Sequence, residues 1–304
     1  TLRTLFPYTT LFRSYTSNNF AQFQSLDLSK EIALINPKRT PLLSFLLQNA
    51  KSVKAISNIV NWYEETLNTT AISTSKEGGD APADVQDATA LLTNLTELLT
   101  GTAKVSNTAQ ASTIVGVDDL MAKEVSKKLT LLKYATEDRI WLGAKAIATS
   151  TVGQKMNGLL NLINASNIVT ATGSVLVKAD FESMLKKMYD AQTSDSMICF
   201  ISDTDKLAVN GFYSPQYFAK DLFLGFTCDK YHSEYGDVTF VLTPSLSVAK
   251  SVVVVNPDYL ELKVLQDAQA IDLAITGDSI SKMVKWEGCL TLGNSKAGAK
   301  VVLV

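Results

Sequence analysis

Between Asp118 and Leu142 the apolar residues Met121, Val125, Leu129, Leu132 and Ala135 recur at spacings of three and four. That period is the stripe of an amphipathic helix. Lys123, Lys127, Lys128 and Lys133 occupy the other faces, Asp118 or Asp119 supplies an N-cap, and Gly143 marks the end. The pattern predicts one helix of about 25 residues, close to 38 Å long at 1.5 Å per residue. It fits a plain core helix or, more sharply, a spine shared by two lobes. Upstream, Thr40 at an N-cap and Pro41 in the first turn predict a short helix running to Leu47. The β-branched and aromatic residues of Val53 to Leu67 read as a strand. Asn68 to Asp87 is small, polar and acidic, with Gly78, Gly79 and Pro82, and reads as a long exposed excursion. Residues 101–116 are the expected returning strand. An excursion of this length needs a task outside the compact domain, so a projecting two-stranded arm is predicted.

Beyond residue 142 helical and strand patterns alternate. Helices are expected over 179–191 and 203–212, and a buried strand over 197–202. Strands follow near 238–243 and 251–255, a partly helical stretch over 260–276, and closing strands near 283–292 and 299–304. The run Gly293 to Gly298 reads as a hairpin turn. The fold class is α+β. No tandem repeat or low-complexity linker forces a domain boundary.

Composition narrows the function classes. The chain carries 28 basic and 30 acidic residues, net −2, with no run of either sign. It therefore has no electrostatic footprint for nucleic acid or for an anionic membrane surface. Charged residues are 19% of the chain, against roughly 25% in an average soluble domain. A surface poor in charge fits one covered by partner subunits. The longest aliphatic block, Val252 to Val255, has strand length and is far short of the roughly 20 residues of a membrane span. Cys199, Cys228 and Cys289 are odd in number and lack a CxxC spacing, which points to a reducing compartment. The sequons at Asn68, Asn94 and Asn164 read as chance matches.

Candidate chemistry is sparse. His232 is the only histidine, and Tyr231 to Gly236 contains no nucleophile elbow. Asp203 and Asp205 follow a strand and open a helix. They could hold a metal, but the favoured role is capping by Ser202 or Asp203, with Asp205 at the positive helix end. No Walker A or GxGxxG sequence occurs, so no cofactor and no metal is expected. The arm carries Glu64, Glu65, Glu77, Asp80 and Asp84, with Lys51, Lys54 and Lys76 as counter-charges. Ordinary solvated loop charge accounts for them. The functional alternative is a subunit interface through Trp62, Tyr63, Glu64, Glu65, Lys76, Glu77, Asp80 and Asp84, with the two aromatics as apolar anchors.

One resemblance runs through the chain after about residue 30. It starts with Asn36-Pro37-Lys38-Arg39-Thr40-Pro41-Leu42 and continues with Asn61-Trp62-Tyr63-Glu64-Glu65-Thr66-Leu67. The long helix and Met156-Asn157-Gly158-Leu159 come next, then Asn256-Pro257-Asp258-Tyr259-Leu260, Thr276-Gly277-Asp278-Ser279 and Trp286-Glu287-Gly288-Cys289-Leu290, leading to Asn294 and Ala297. In that order these motifs resemble the major capsid proteins of tailed bacteriophages with the Hong Kong 97-type fold. The resemblance implies an N-terminal arm and short helix over 15–50 and an extended loop over 51–116. It further implies a spine helix and peripheral domain over 117–180, a mainly axial domain over 181–280, and closing peripheral strands over 281–304. It implies a structural protein rather than an enzyme, forming pentamers and hexamers of an icosahedral head shell around the phage genome. The shell would be a virion component put together in the host cytoplasm, without a membrane, with portal, scaffold and decoration proteins as further partners. Some relatives crosslink a Lys to an Asn beside an acid; no such trio stands out here. The rivals are an encapsulin-type compartment shell and a metal-dependent enzyme using Asp203 and Asp205.

Residues 1–14 fall outside the resemblance. Thr4 to Ser14, TLFPYTTLFRS, resembles a translated sequencing-library adapter, as expected of a metagenomic read. Without Arg3 and Arg13 the net charge moves by −2, from −2 to −4.

Overall fold

The computed structural model describes residues 40–304 apart from Thr69, Pro82, 113–118, 213–217, 224–225 and Thr276, with backbone alone for 218–223 and 226–229. The readings made for residues 1–39, and Asp118 as a cap, lie outside the described residues. Helix α1 (Pro41–Gln48) begins on proline as predicted and buries Leu42, Leu43, Phe45 and Leu46. Its cap differs from the expected one, because Thr40 makes no side-chain cap bond. The amides of Leu42 and Leu43 instead donate to Glu137, at 3.2 Å to Oε1 and 2.7 Å to Oε2. The negative charge sits where the helix dipole favours it.

After α2 (Asn107–Ala111) comes the long helix, α3 (Leu120–Leu142), of 23 residues. Asp119 caps it, accepting from the Ala122 amide at 3.1 Å. Its buried face is not the single stripe predicted, since Leu129 is exposed. Met121 packs with Ala103 and Val105 in a small satellite cluster, whereas Leu132, Ile140 and Trp141 enter the main core. One helix serving two clusters shifts its apolar face along its length, as a spine does. It ends at Gly143 because the chain turns back there at backbone contact distance. The Gly158 amide donates to the Gly143 carbonyl at 2.9 Å. A Cβ on Gly158 would lie 2.6 Å from the Gly143 nitrogen and 2.7 Å from the Trp141 carbonyl. Backbone atoms cannot swing aside, so Gly158→Ala is expected to cost about 1–3 kcal/mol, read as a lowered urea midpoint of the unassembled chain.

A four-stranded sheet has the order β1 (Ser52–Lys54), β11 (Leu260–Asp272), β12 (Ser279–Leu292), β4 (Glu97–Ser106). The stretch expected to be partly helical, 260–276, holds strand β11. Its first half alternates, with Leu260, Leu262 and Val264 buried. Its second half, Asp267 to Ala270, has helix-favouring composition, and pairing of Gln269 to Asp272 with Lys285 to Lys282 overrides it across two register shifts. Strand β4 corrects a second expectation. Residues 101–106 belong to this sheet, Glu97 to Ser106 pairing with Gly288 to Ser279, and are not the returning strand of the arm.

The second sheet has seven strands, ordered β5 (Ile168–Thr170), β13 (Gly298–Val302), β10 (Ser251–Val255), β6 (Met197–Ile201), β9 (Gly236–Leu242), β8 (Phe226–Ser233), β7 (Phe218–Phe223). It separates two cores. Ile198, Phe200, Val253 and Val255 face the main core, shared with α1, α3 and the four-stranded sheet. Cys199, Ile201, Val252 and Val254 face the other, closed by Phe181, Met184, Leu185 and Met188 of α5 (Lys178–Asp190). Burial on both faces explains why β10 reads as an uninterrupted aliphatic run. The short α4 (Leu159–Leu162), α6 (Asp203–Phe212) and α7 (Ser245–Ala249) complete the α-helices among the described residues. The run from Gly293 to Gly298 is not a hairpin turn. It carries the chain from β12 in one sheet to β13 in the other.

Candidate functional site

Strands β2 (Ile59–Thr66) and β3 (Ala88–Leu95) form an antiparallel ribbon outside both sheets, in register from Ile59 opposite Leu95 to Thr66 opposite Ala88. The returning strand of the arm is thus 88–95. Between the strands lie the exposed Lys76, Glu77, Asp80 and Asp84, outside any helix or strand. The Gly79 amide donates to the Lys76 carbonyl at 3.0 Å, and the Asn68 amide to Asp87 Oδ1 at 2.6 Å. Lys51, expected as an arm counter-charge, pairs instead with Asp258 at 3.4 Å.

Period-two alternation sorts the predicted interface residues between the two faces of the ribbon. Val60, Trp62 and Glu64 are half-buried toward the subunit's own body. Trp62 Nε1 is buried without a hydrogen-bond partner among the described residues. The Glu64 carboxylate accepts two bonds from Ser295, one from its amide and one, at 2.9 Å, from its hydroxyl. Tyr63 and Glu65 point outward. Tyr63 is 72% exposed and lies directly opposite Leu91, which is 55% exposed. The sequence-predicted set is therefore brought onto one arm, but Trp62 and Glu64 face home.

The root of the arm is held by a residue whose role sequence reasoning missed. Asn94 is fully buried, and its amide nitrogen donates to the carbonyls of Asn157 at 3.0 Å and Leu290 at 2.6 Å. Its oxygen accepts from the amides of Leu95 and Asn157, each at 2.8 Å. All four hydrogen-bonding positions of the amide are filled. A sequon asparagine so engaged cannot carry a glycan in the folded chain. The available signal was a polar residue amid the leucines of ALLTNLTELL. Around it, Lys145 Nζ donates to the Thr93 carbonyl at 2.9 Å, and Gln154 Nε2 to the carbonyls of Asn58 and Thr96 at 3.0 and 2.9 Å. Buried Glu97 accepts from the Met156 amide at 3.2 Å and pairs with Arg139 Nε at 3.2 Å. Four segments of chain converge on the arm's base.

The sites weighed for enzyme chemistry take structural roles. Ser202 Oγ donates to Asp205 Oδ2 at 2.7 Å and accepts from the Asp205 amide at 3.1 Å, a reciprocal cap for α6. Asp203 accepts from the Thr204 amide at 2.9 Å. Ser202→Ala is expected to cost about 1 kcal/mol in thermal or urea unfolding, the usual worth of a cap. His232 Nδ1 lies 2.6 Å from Asp237 Oδ1, while the Ser233 hydroxyl is engaged by the Gly236 carbonyl. The bond from His232, with the charges of His232 and Lys230, holds Asp237 below the usual carboxylate range.

Cys199 and Cys289 are buried and free. Burial pushes the Cys289 thiol up to about 12 and that of Cys199 higher still. In a C228S chain at pH 8, neither thiol is expected to react with a disulfide reagent until urea unfolds the protein. Free thiols in the unfolded chain ionise near pH 8.5, whereas the folded ones stay protonated. Stability should therefore fall as pH rises past about 9, the sign set by protons that only the folded state retains.

A family model described as the SU10 major capsid protein matches residues 15–304. No curated protein sequence matches the chain. Among solved structures, the capsid asymmetric unit of cyanophage A-1(L) is similar at a TM-score of 0.69 and 9% identity, covering 95% of this chain and 99% of that one. A structure from Microbacterium phage Oxtober96 gives a TM-score of 0.64 at 12% identity over 96% and 100% of the two chains. The holo-SrpI encapsulin complex of Synechococcus elongatus gives 0.63 at 10% identity over 95% and 96%. At such identities the likeness concerns fold alone, and that fold is the Hong Kong 97-type capsid fold. The family match adds the function: this chain belongs to the SU10 major capsid protein family and is a structural subunit of a capsid shell, not an enzyme.

Proposed function

We propose that the shell is a closed icosahedral head of pentamers and hexamers, enclosing a tailed-phage genome without reading its sequence. The carrying observation is the arm, a two-stranded ribbon whose outward face presents Tyr63 and Leu91 and whose tip carries Lys76, Glu77, Asp80 and Asp84. Isolated two-stranded ribbons are marginal in water, and exposed apolar pairs favour cover. Tyr63, Glu65 and the tip residues contact the neighbouring copy, while Trp62 and Glu64 support the ribbon from behind. The extended loop lies within 51–116, its projecting part being the ribbon of β2 and β3, while the spine and peripheral domain correspond to 117–180 with the closing strands, and the axial domain mainly to 181–280. Assembly takes place in the host cytoplasm, with portal, scaffold and decoration proteins as partners. An encapsulin-type compartment is the second reading, favoured by the likeness to the SrpI complex over 95% of the chain. Electron microscopy of the purified protein tests the proposal: uniform shells, rings of five or six subunits, or sheets support it, and a monomer under all conditions overturns it. Neighbouring genes for a portal and large terminase, rather than a cargo enzyme, separate head from compartment.

A further inference from the structure

We infer that Glu64 is a latch that fixes the inclination of the arm against its own subunit and so sets the angle at which neighbouring copies meet. Glu64 is a positioning residue here, and the part concerning neighbours rests on the shell reading above.

Hydrogen bonds hold the arm to its body at the root and again further out, with the half-buried Trp62 between. The first is the Asn94 anchor at the root, opposite Val60. The second is Glu64, four residues further along β2, about 14 Å away at 3.4 Å per residue. One anchor leaves a ribbon free to hinge; two fix its direction. What Glu64 grips is itself rigid. The Ser295 hydroxyl accepts from Asn164 Nδ2 at 3.2 Å, and the Ser295 carbonyl accepts from the Asn164 amide at 3.0 Å. Asn167 Nδ2 donates to the carbonyls of Lys296 and Gly298 at 2.9 and 3.1 Å, and the Asn256 amide donates to that of Ala297 at 2.9 Å. The Gly293 amide donates to the Tyr259 carbonyl at 2.8 Å. The loop joining the two sheets is thus pinned from both sides and serves as the latch plate. The chemistry is specific as well. A carboxylate that accepts from a backbone amide and a hydroxyl makes charge-assisted bonds, stronger than neutral ones. It does so on the ribbon face where a charge is least expected, beside the half-buried Trp62. Seating Glu64 inward aims the opposite face, with Tyr63 and Leu91, away from the body and toward a second copy.

The test compares the full chain with Glu64→Ala and Ser295→Ala by hydrogen exchange before assembly and by particle diameter in electron micrographs afterwards. In E64A the Ser295 amide should exchange at least about tenfold faster, equivalent to about 1.4 kcal/mol. Its particles should spread over a wider range of diameters than those of the wild type. S295A, which keeps the amide bond and loses the hydroxyl one, should fall between the two on both measures. If E64A does not fold, S295A carries the test on the same readouts. Unchanged protection of Ser295, or unlatched chains that build shells as uniform as the wild type, overturns the inference. Failure of the shell reading shows separately, as a wild-type chain that forms no particles, and the claim about neighbours falls with it whatever the exchange data show.

Discussion

Deletion of residues 69–87 is expected to leave a chain that folds but forms no stable shell. Among its described residues the deleted stretch buries no large side chain, and their hydrogen bonds are local, such as Gly79 to Lys76 and Asn68 to Asp87. Joining Asn68 to Ala88 leaves Leu67 and Asn68 as a two-residue loop between the paired Thr66 and Ala88, a length natural to hairpins. Loss of such surface structure should change subunit stability by no more than about 0.5 kcal/mol. Assembly is a different matter, because every copy loses the same contact, and the loss multiplies over the shell. Circular dichroism and urea unfolding should report a native subunit, while size exclusion and electron microscopy report particles missing or short-lived. Normal shells from the deletion chain would show that the tip has no part in assembly.

Glu137→Ala should produce the largest loss of subunit stability of any single substitution considered. The side chain is fully buried, and three donors converge on it: the amides of Leu42 and Leu43, and Trp141 Nε1 at 2.9 Å. Truncation strands all three in the main core, and each buried donor left unpaired costs about 1–3 kcal/mol. With partial relaxation the expected loss is about 3–5 kcal/mol, since the α1 entry is loosened from the spine helix at the same time. Glu137→Gln keeps the volume and one acceptor oxygen, so it should fall between. Urea midpoints of the unassembled chains decide the matter, and a loss under about 1 kcal/mol for the alanine variant would contradict this account of the cap.

Where local signals agreed, the fold was legible. Helix α6 runs over the predicted residues, Asp203 to Phe212, because a capping serine, two early acids and an apolar period coincide there. Strand β10 was plain from its aliphatic run. What sequence missed depends on distant partners. The second half of β11 is extended only because β12 lies beside it. The division of 88–106 into an arm strand and a sheet strand follows from Asn94 being drawn inward at the junction. At the site, composition revealed that an arm exists, but not which face it shows. Charged residues ordinarily face water, and Glu64 breaks that habit because Ser295, from the far end of the sequence, offers it two donors. Likewise no local pattern says that the acceptor capping α1 comes from the spine helix.

The order of strands in the two sheets has a consequence for synthesis. Strand β12 joins β4 to β11, and β13 sits between β5 and β10, so each sheet is completed by residues of one late segment, Ser279 to Val302. At 5–20 residues per second the ribosome takes on the order of 10–50 s to travel from Ser52 to Val302. For much of that time β4 waits without its partner, and Lys300 to Val302 are not yet present for Ile168 to Thr170 to pair with. Nascent chains therefore stay open and in need of protection until synthesis of that segment is done. A prematurely released chain lacking it cannot close either sheet. Truncated copies are thereby kept out of the growing particle by the topology of the subunit itself.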